Sequence, residues 1–249
     1  RERIESSLSN AVRRGNLDAD SQQRALEALT FSADLGALAD RQLVVEAVTE
    51  AEKVKTGIFR SLDDIVDDPE AILASNTSSI PIMKLGMSTR RPEHVVGLHF
   101  FNPVPVLPLV ELVSSLVTSP ETTQRAADFA TNILGKHVIH SKDRAGFIVN
   151  ALLIPYLLSS IRMLESGFAT AEDIDAGMVQ GCAHPMGPLA LTDLIGLDTT
   201  MAVAESLYEE FKEPLYAAPP LLSLMVEAGL LGRKSGRGFH TYDRGTTEG

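Results

Sequence analysis

Apolar residues recur along this chain at two spacings, and the change between them divides it. Ile4, Leu8, Ala11 and Val12 fall at helical spacing beside Arg1, Arg3, Arg13 and Arg14, and Gly15-Asn16 ends that helix. Ser21–Leu29 predicts a second helix and Thr30–Ala33 a short strand. An alternation follows: a β-branched run over Gln42–Val48, then a helix over Glu50–Val66 with Val54, Ile58, Leu62 and Ile65 on one face. Ala71–Ala74 predicts a strand ending in Ser75-Asn76-Thr77-Ser78-Ser79, and Pro81–Leu85 a short helix. Val95–Phe101 and Val110–Val113 predict strands, Pro120–Leu134 a helix, and His137–His140 a strand. Strands alternating with helices predict a parallel, doubly wound, Rossmann-like α/β sheet, whose ligands bind beyond the carboxyl ends of the strands. Ser78, His99 and the Glu50 region all fall at such ends.

From Ala145 the pattern is helical throughout. Gly146–Ser166 is apolar nearly all round, interrupted by Pro155, which predicts burial on several sides. Thr170–Gln180, Pro188–Phe211 and Pro219–Ala228 predict further helices. The expected division is an α/β domain over 1–143 and an all-α domain over 144–249, with the boundary near Lys142-Asp143-Arg144.

Composition narrows the function. With 249 residues, 44% hydrophobic and 22% charged, the chain can form one large or two medium globular units. The net charge of −11 supplies no basic field for nucleic acid. Cys182 is the only cysteine, so an intrachain disulfide is impossible and a cytoplasmic location fits. The apolar run Ala145–Ile161 contains Asn150 and two serines, and reads as a core helix rather than a membrane span.

The chemistry concentrates in residues 97–113, Gly-Leu-His-Phe-Phe-Asn-Pro-Val-Pro-Val-Leu-Pro-Leu-Val-Glu-Leu-Val. Pro103, Pro105 and Pro108 exclude a helix or a central strand between the two strands, because each lacks an N–H and has a fixed φ. His99 and Glu111 each stand in an apolar setting. Held together they would make a tuned general base; apart, they would be a buried histidine bonded to backbone and a solvated glutamate. Asn150, inside the apolar Gly146-Phe-Ile-Val-Asn150, needs polar partners, which a substrate or a neighbouring helix could supply. The Ser75–Ser79 run is a possible ligand loop or an ordinary turn and cap before Pro81. Gly232-Arg-Lys-Ser-Gly-Arg-Gly-Phe239 is glycine- and cation-rich, a composition that a flexible basic tail shares. No metal site emerges: His137 and His140 face opposite ways on a strand.

In order, Ser-Asn-Thr-Ser-Ser, Gly-Leu-His-Phe-Phe-Asn-Pro, Glu111, Gly-Phe-Ile-Val-Asn, His-Pro-Met-Gly-Pro at 184–188, Gly-Leu-Asp-Thr at 196–199 and Gly-Arg-Lys-Ser-Gly-Arg-Gly-Phe resemble the 3-hydroxyacyl-CoA dehydrogenase family over essentially the whole chain. The resemblance is greatest to single-function 3-hydroxybutyryl-CoA dehydrogenases. It implies an NAD-linked oxidoreductase of L-3-hydroxyacyl-CoA in fatty-acid and butanoate metabolism, β-oxidation included. It implies His99 as catalytic base, Glu111 as its paired carboxylate, and Ser78 and Asn150 as groups that hold the substrate. Ala47, Glu50, Lys55, Asn102 and Lys234, with Ser78 nearby, match NAD contacts. Ser7 and Arg14 fall where the family contacts coenzyme A, although a lysine is usual at the Arg14 position.

Two departures stand out. Ala151 replaces an arginine usual after the asparagine. The family's opening strand and Gly-x-Gly-x-x-Gly loop, which cradles the pyrophosphate, are also missing, so the chain is expected to begin roughly forty residues late. On that expectation residues 1–249 alone fold poorly and bind NAD weakly, with the Thr30–Ala33 and Gln42–Val48 strands flanking a gap. A homodimer through the helical half is expected. Two rival readings are a non-catalytic, crystallin-like protein on the same scaffold and a 3-hydroxyisobutyrate-type dehydrogenase. The second would use a lysine base in place of the His–Glu pair.

Overall fold

A computed structural model describes residues 1–242; the end of the 144–249 region lies outside the described residues. The elements are α1 (Glu2–Arg13), α2 (Ala19–Glu27), β1 (Leu43–Glu46), α3 (Glu52–Ile65), β2 (Ile72–Ser75), α4 (Ile82–Gly86), β3 (Val95–Phe100), β4 (Leu109–Ser114), α5 (Pro120–Asp128), β5 (His137–Lys142), α6 (Val149–Glu165), α7 (Ala171–Cys182), α8 (Pro188–Ile195), α9 (Leu197–Phe211) and α10 (Pro220–Glu227). One five-stranded sheet, in the order β1-β2-β3-β4-β5, is followed by the helical half.

Three expectations need correction. Thr30–Ala33 forms no strand, so β1 is the edge of the sheet and the expected pair of strands flanking a gap does not occur. The sheet is not wholly parallel: β1, β2 and β3 are parallel, but β4 runs antiparallel to β3, with β5 parallel to β4. The reason lies in the 101–108 loop, because a parallel return needs a crossover of about a dozen residues or more. The single helix expected over 188–211 breaks at Gly196, whose φ of 103° no right-handed helix accommodates.

Side chains alternate across the sheet. Leu73, Val95 and Val113 pack on one face with Phe59 and Leu62 of α3 and Ile82 and Leu85 of α4. Ile72, Ala74, Val96, Leu98, Val110 and Leu112 form the other, against Ala126 of α5. By the same alternation His99 shares a face with Val95, and Glu111 with Val113. In the helical half, α6 buries Ile154, Leu157, Leu158 and Ile161. Burial of α6 on several sides is not seen within one chain: Leu152 is 73% exposed and Met163 also faces outward. Among the described residues no helix is long and apolar enough to cross a membrane.

Candidate active site

The antiparallel β3–β4 ladder sets His99 directly opposite Glu111, where cross-strand neighbours touch. The His99 Nδ1 lies 2.7 Å from Glu111 Oε2. His99 is 7% exposed and Glu111 fully buried. Since a carboxylate only accepts, Nδ1 carries the proton and the Nε2 lone pair is left for chemistry. The second glutamate oxygen accepts the N–H groups of Ile148 at 3.0 Å and Val149 at 2.9 Å. Glu111 therefore caps α6, where its charge meets the positive end of the helix dipole. One carboxylate thus ties the imidazole to the helix that carries Asn150. Asn150 is half-buried, and among the described residues its amide has no hydrogen-bond partner, so it is open to a ligand.

Phe147 and Phe101 flank the imidazole, with ring centroids 5.6 Å and 4.6 Å from it. Gly146 and Phe147 both have positive φ, 73° and 48°. A Cβ on Gly146 would stand 2.8 Å from Leu207 Cδ2, which adds a packing demand to the conformational one.

Beside the pair, at the carboxyl ends of β1 and β2, a second network forms. Glu50 Oε1 accepts from Thr77 Oγ1 at 2.5 Å, Ser78 N at 2.9 Å, Ser79 N at 3.1 Å and Ser79 Oγ at 3.0 Å, with Ser78 Oγ at 3.4 Å. Burial works to raise the Glu50 carboxyl, but the Thr77 hydroxyl, the Ser78 N–H, the Lys55 charge and the Ser79 hydroxyl outweigh it, holding it below the usual range. Lys55 is 1% exposed; it bonds both oxygens of Glu46 at 2.7 and 3.0 Å and lies 3.4 Å from Glu50. Ser75 Oγ donates to Glu46 at 2.6 Å. Removing one member of a buried pair of this kind costs about 3–5 kcal/mol, because the other charge is left unpaired. Asn76 Oδ1 accepts the Phe100 N–H at 2.9 Å, joining this loop to the end of β3.

The structure therefore brings His99, Glu111 and the α6 turn before Asn150 into one hydrogen-bonded unit, and Glu50, Lys55 and Ser78 into another. Ala47 and Asn102 are exposed at the ends of β1 and β3. Lys55 lies beneath this surface, so its ammonium is not open to a ligand. Lys234 pairs with Asp198 at 2.5 and 2.6 Å in the helical half. Ser7 and Arg14 lie on exposed α1 and the residue after it. A cleft of about 1330 Å³ between α4, the ends of β4 and β5, and α9 includes none of His99, Glu111 and Asn150; volume does not locate the chemistry here.

Sequence reasoning missed Glu46, Phe147 and Asp193. Glu46 had a signal, a lone charge inside an apolar strand. Asp193 accepts from the backbone N–H groups of Phe239 and His240 and from the Tyr242 hydroxyl, fastening the Lys234 segment to α8. Burial and Asp193 push the Tyr242 hydroxyl up to about 12. Nothing local in the sequence marks that long-range clasp.

Comparison with known proteins places the chain in a family. The family model described as 3-hydroxyacyl-CoA dehydrogenase, NAD binding domain matches residues 1–144, and the C-terminal domain model of the same family matches 146–242. A 3-hydroxybutyryl-CoA dehydrogenase of Mycobacterium tuberculosis is 60% identical over 242 residues, 97% of this chain and 85% of that one. The crystal structure of M. tuberculosis FadB2 superposes with a TM-score of 0.96 at 60% identity, covering 97% of this chain and 85% of that one. That of the Ralstonia eutropha (S)-3-hydroxybutyryl-CoA dehydrogenase PaaH1 superposes at 0.90 with 44% identity, covering 96% and 84%. With both halves matched and so similar a relative aligned over 97% of this chain, this chain belongs to the 3-hydroxyacyl-CoA dehydrogenase family, and is an NAD-dependent oxidoreductase.

Proposed function

We propose that this enzyme interconverts L-3-hydroxyacyl-CoA and 3-oxoacyl-CoA, with the short-chain 3-hydroxybutyryl-CoA as its substrate in fatty-acid and butanoate metabolism. His99 Nε2 takes the proton of the C3 hydroxyl, and Glu111 offsets the positive charge that forms on the ring. Ser78 and Asn150 hydrogen-bond the C3 oxygen and fix the attack geometry. NAD, when bound, supplies the hydride acceptor. The residues present fit it: Ala47 and Asn102 are open at the carboxyl edge of the sheet, where such cofactors lie. The Glu46–Lys55–Glu50 cluster, two carboxylates against one ammonium, leaves a net negative charge that would favour an oxidised, cationic nicotinamide. On this reading Lys55 would serve NAD through Glu50 rather than by contact, Lys234 would meet the cofactor from the helical half, and Ser7 and Arg14 would meet coenzyme A. Residues 1–143 hold the cofactor; residues 144–249 complete the substrate cleft and pair two copies of a cytoplasmic enzyme.

The observation that carries the reading is the Nδ1–Glu111 bond, which leaves Nε2 as an oriented base. Acetoacetyl-CoA should oxidise NADH, followed by absorbance, and His99→Ala should lower kcat by roughly 10²–10⁴-fold with KM little changed. A parent protein that binds NADH yet gives no turnover would favour the crystallin-like alternative. A His99→Ala enzyme with near-full kcat would exclude His99 as base.

A further inference from the structure

Phe147 is a bulky residue at φ 48°, a conformation such a side chain holds only where its surroundings over-determine it. Three features do so. Its N–H donates to the Arg144 carbonyl at 3.0 Å. Its ring, though it leads into the helical half, is buried in the core of the α/β half with Ile82 and Val113. The next residue, Ile148, returns to φ −98° and ψ −53°. Neighbouring residues of opposite hand aim successive N–H groups at one point, and here the Ile148 and Val149 N–H groups converge on Glu111 Oε1. The same side chain stands against His99, its ring inclined at 59° to the imidazole. A histidine fixed by one hydrogen bond can still swing about that bond; ring contacts decide where Nε2 points.

We propose that Phe147 is a positioning residue for the reaction: its left-handed backbone aims the N–H pair that holds Glu111, and its ring sets the plane in which His99 presents Nε2. It acts through the dyad and touches no substrate. The proposal rests on the reading of His99 as the base.

The test is a double-mutant cycle on the whole enzyme with acetoacetyl-CoA and NADH. Misplacing reacting atoms by about 1 Å costs roughly 10²-fold, so Phe147→Ala should lower kcat by about 10–100-fold while KM changes less than about 3-fold. Phe147→Leu, which keeps apolar volume without a flat ring, should lose about 10-fold, and Phe147→Tyr, which keeps the ring, should recover most of it. In a His99→Ala background neither Phe147→Ala nor Phe147→Leu should slow the residual rate further, because there is no imidazole left to aim. Equal losses in both backgrounds, or unchanged kcat in Phe147→Ala, would overturn the proposal and leave Phe147 a packing residue. If Phe147→Ala does not fold, Phe147→Leu completes the same cycle. Failure of the base reading shows separately, as a His99→Ala enzyme that keeps its kcat whatever stands at 147.

Discussion

Replacing Glu111 by glutamine separates what this carboxylate does chemically from what it does for the fold. It is fully buried and accepts three hydrogen bonds, from His99 Nδ1, Ile148 N and Val149 N. In Glu111→Gln the amide oxygen can still accept both N–H groups of α6, and the amide nitrogen still faces Nδ1. That nitrogen is a donor, so Nδ1 must become the acceptor and the ring proton moves to Nε2. All three partners of the carboxylate stay paired and only the second N–H of the new amide is left over, yet the atom that should take the substrate proton already carries one. The corresponding loss for a buried carboxylate behind a catalytic histidine is on the order of 10⁴-fold in kcat, about 5 kcal/mol at about 1.4 per tenfold. Glu111→Ala is a different perturbation: it leaves three donors unpaired at about 1–3 kcal/mol each. That sum is a large part of the roughly 5–15 kcal/mol of a whole domain. We therefore expect Glu111→Gln to melt within a few degrees of the parent by circular dichroism but to be nearly inactive in the NADH assay. Glu111→Ala should unfold far more readily. A Glu111→Gln enzyme within about tenfold of parental kcat would refute tautomer control by this residue, and an Ala variant as stable as the parent would refute the capping role.

Other outcomes follow from the same contacts. At Asp63, burial opposes the Arg90 N–H and the Arg91 and Arg90 side chains, which prevail and hold the carboxyl below its usual range, as at Glu50. A folded value below the unfolded one gives stability that is fully present above the ordinary carboxylate value near pH 4 and lost as pH falls from there through the lowered folded value; Glu50→Gln and Asp63→Asn should flatten the acid limb of melting temperature against pH, and an unchanged limb in both would contradict the assignment. Leu152 lies exposed on α6, so sedimentation should show a dimer at micromolar concentration and a monomer for Leu152→Asp; a monomeric parent would remove the proposed assembly. A Cβ on Gly238 would stand 1.9 Å from Asp193 Oδ1; Gly238→Ala should cost about 1–3 kcal/mol by overpacking, read as a lower melting temperature, and an unchanged one would mean that the clasp gives way freely.

Most of the succession of elements, the helical second half, and the short list containing His99, Glu111, Ser78 and Asn150 were legible in the residues alone. Periods of two and 3.6 are local properties, set by which side chains a strand or helix turns to one side, and the motif order does not depend on where the chain goes. The sequence did not determine whether His99 and Glu111 meet. Both readings of that pair were open until the 101–108 loop turned β4 antiparallel to β3 and placed the two residues opposite each other. Nor could it show that Glu111 caps α6, that Lys55 is buried under Glu46 and Glu50, or that Phe147 lies against the imidazole. Each of these joins residues from separate elements, and depends on strand direction, register and packing between them. Thr30–Ala33 shows the converse: a short polar–apolar alternation has the local preference of a strand, but a strand exists only where a neighbour takes up its N–H and C=O groups, and the folded chain offers that segment none among the described residues.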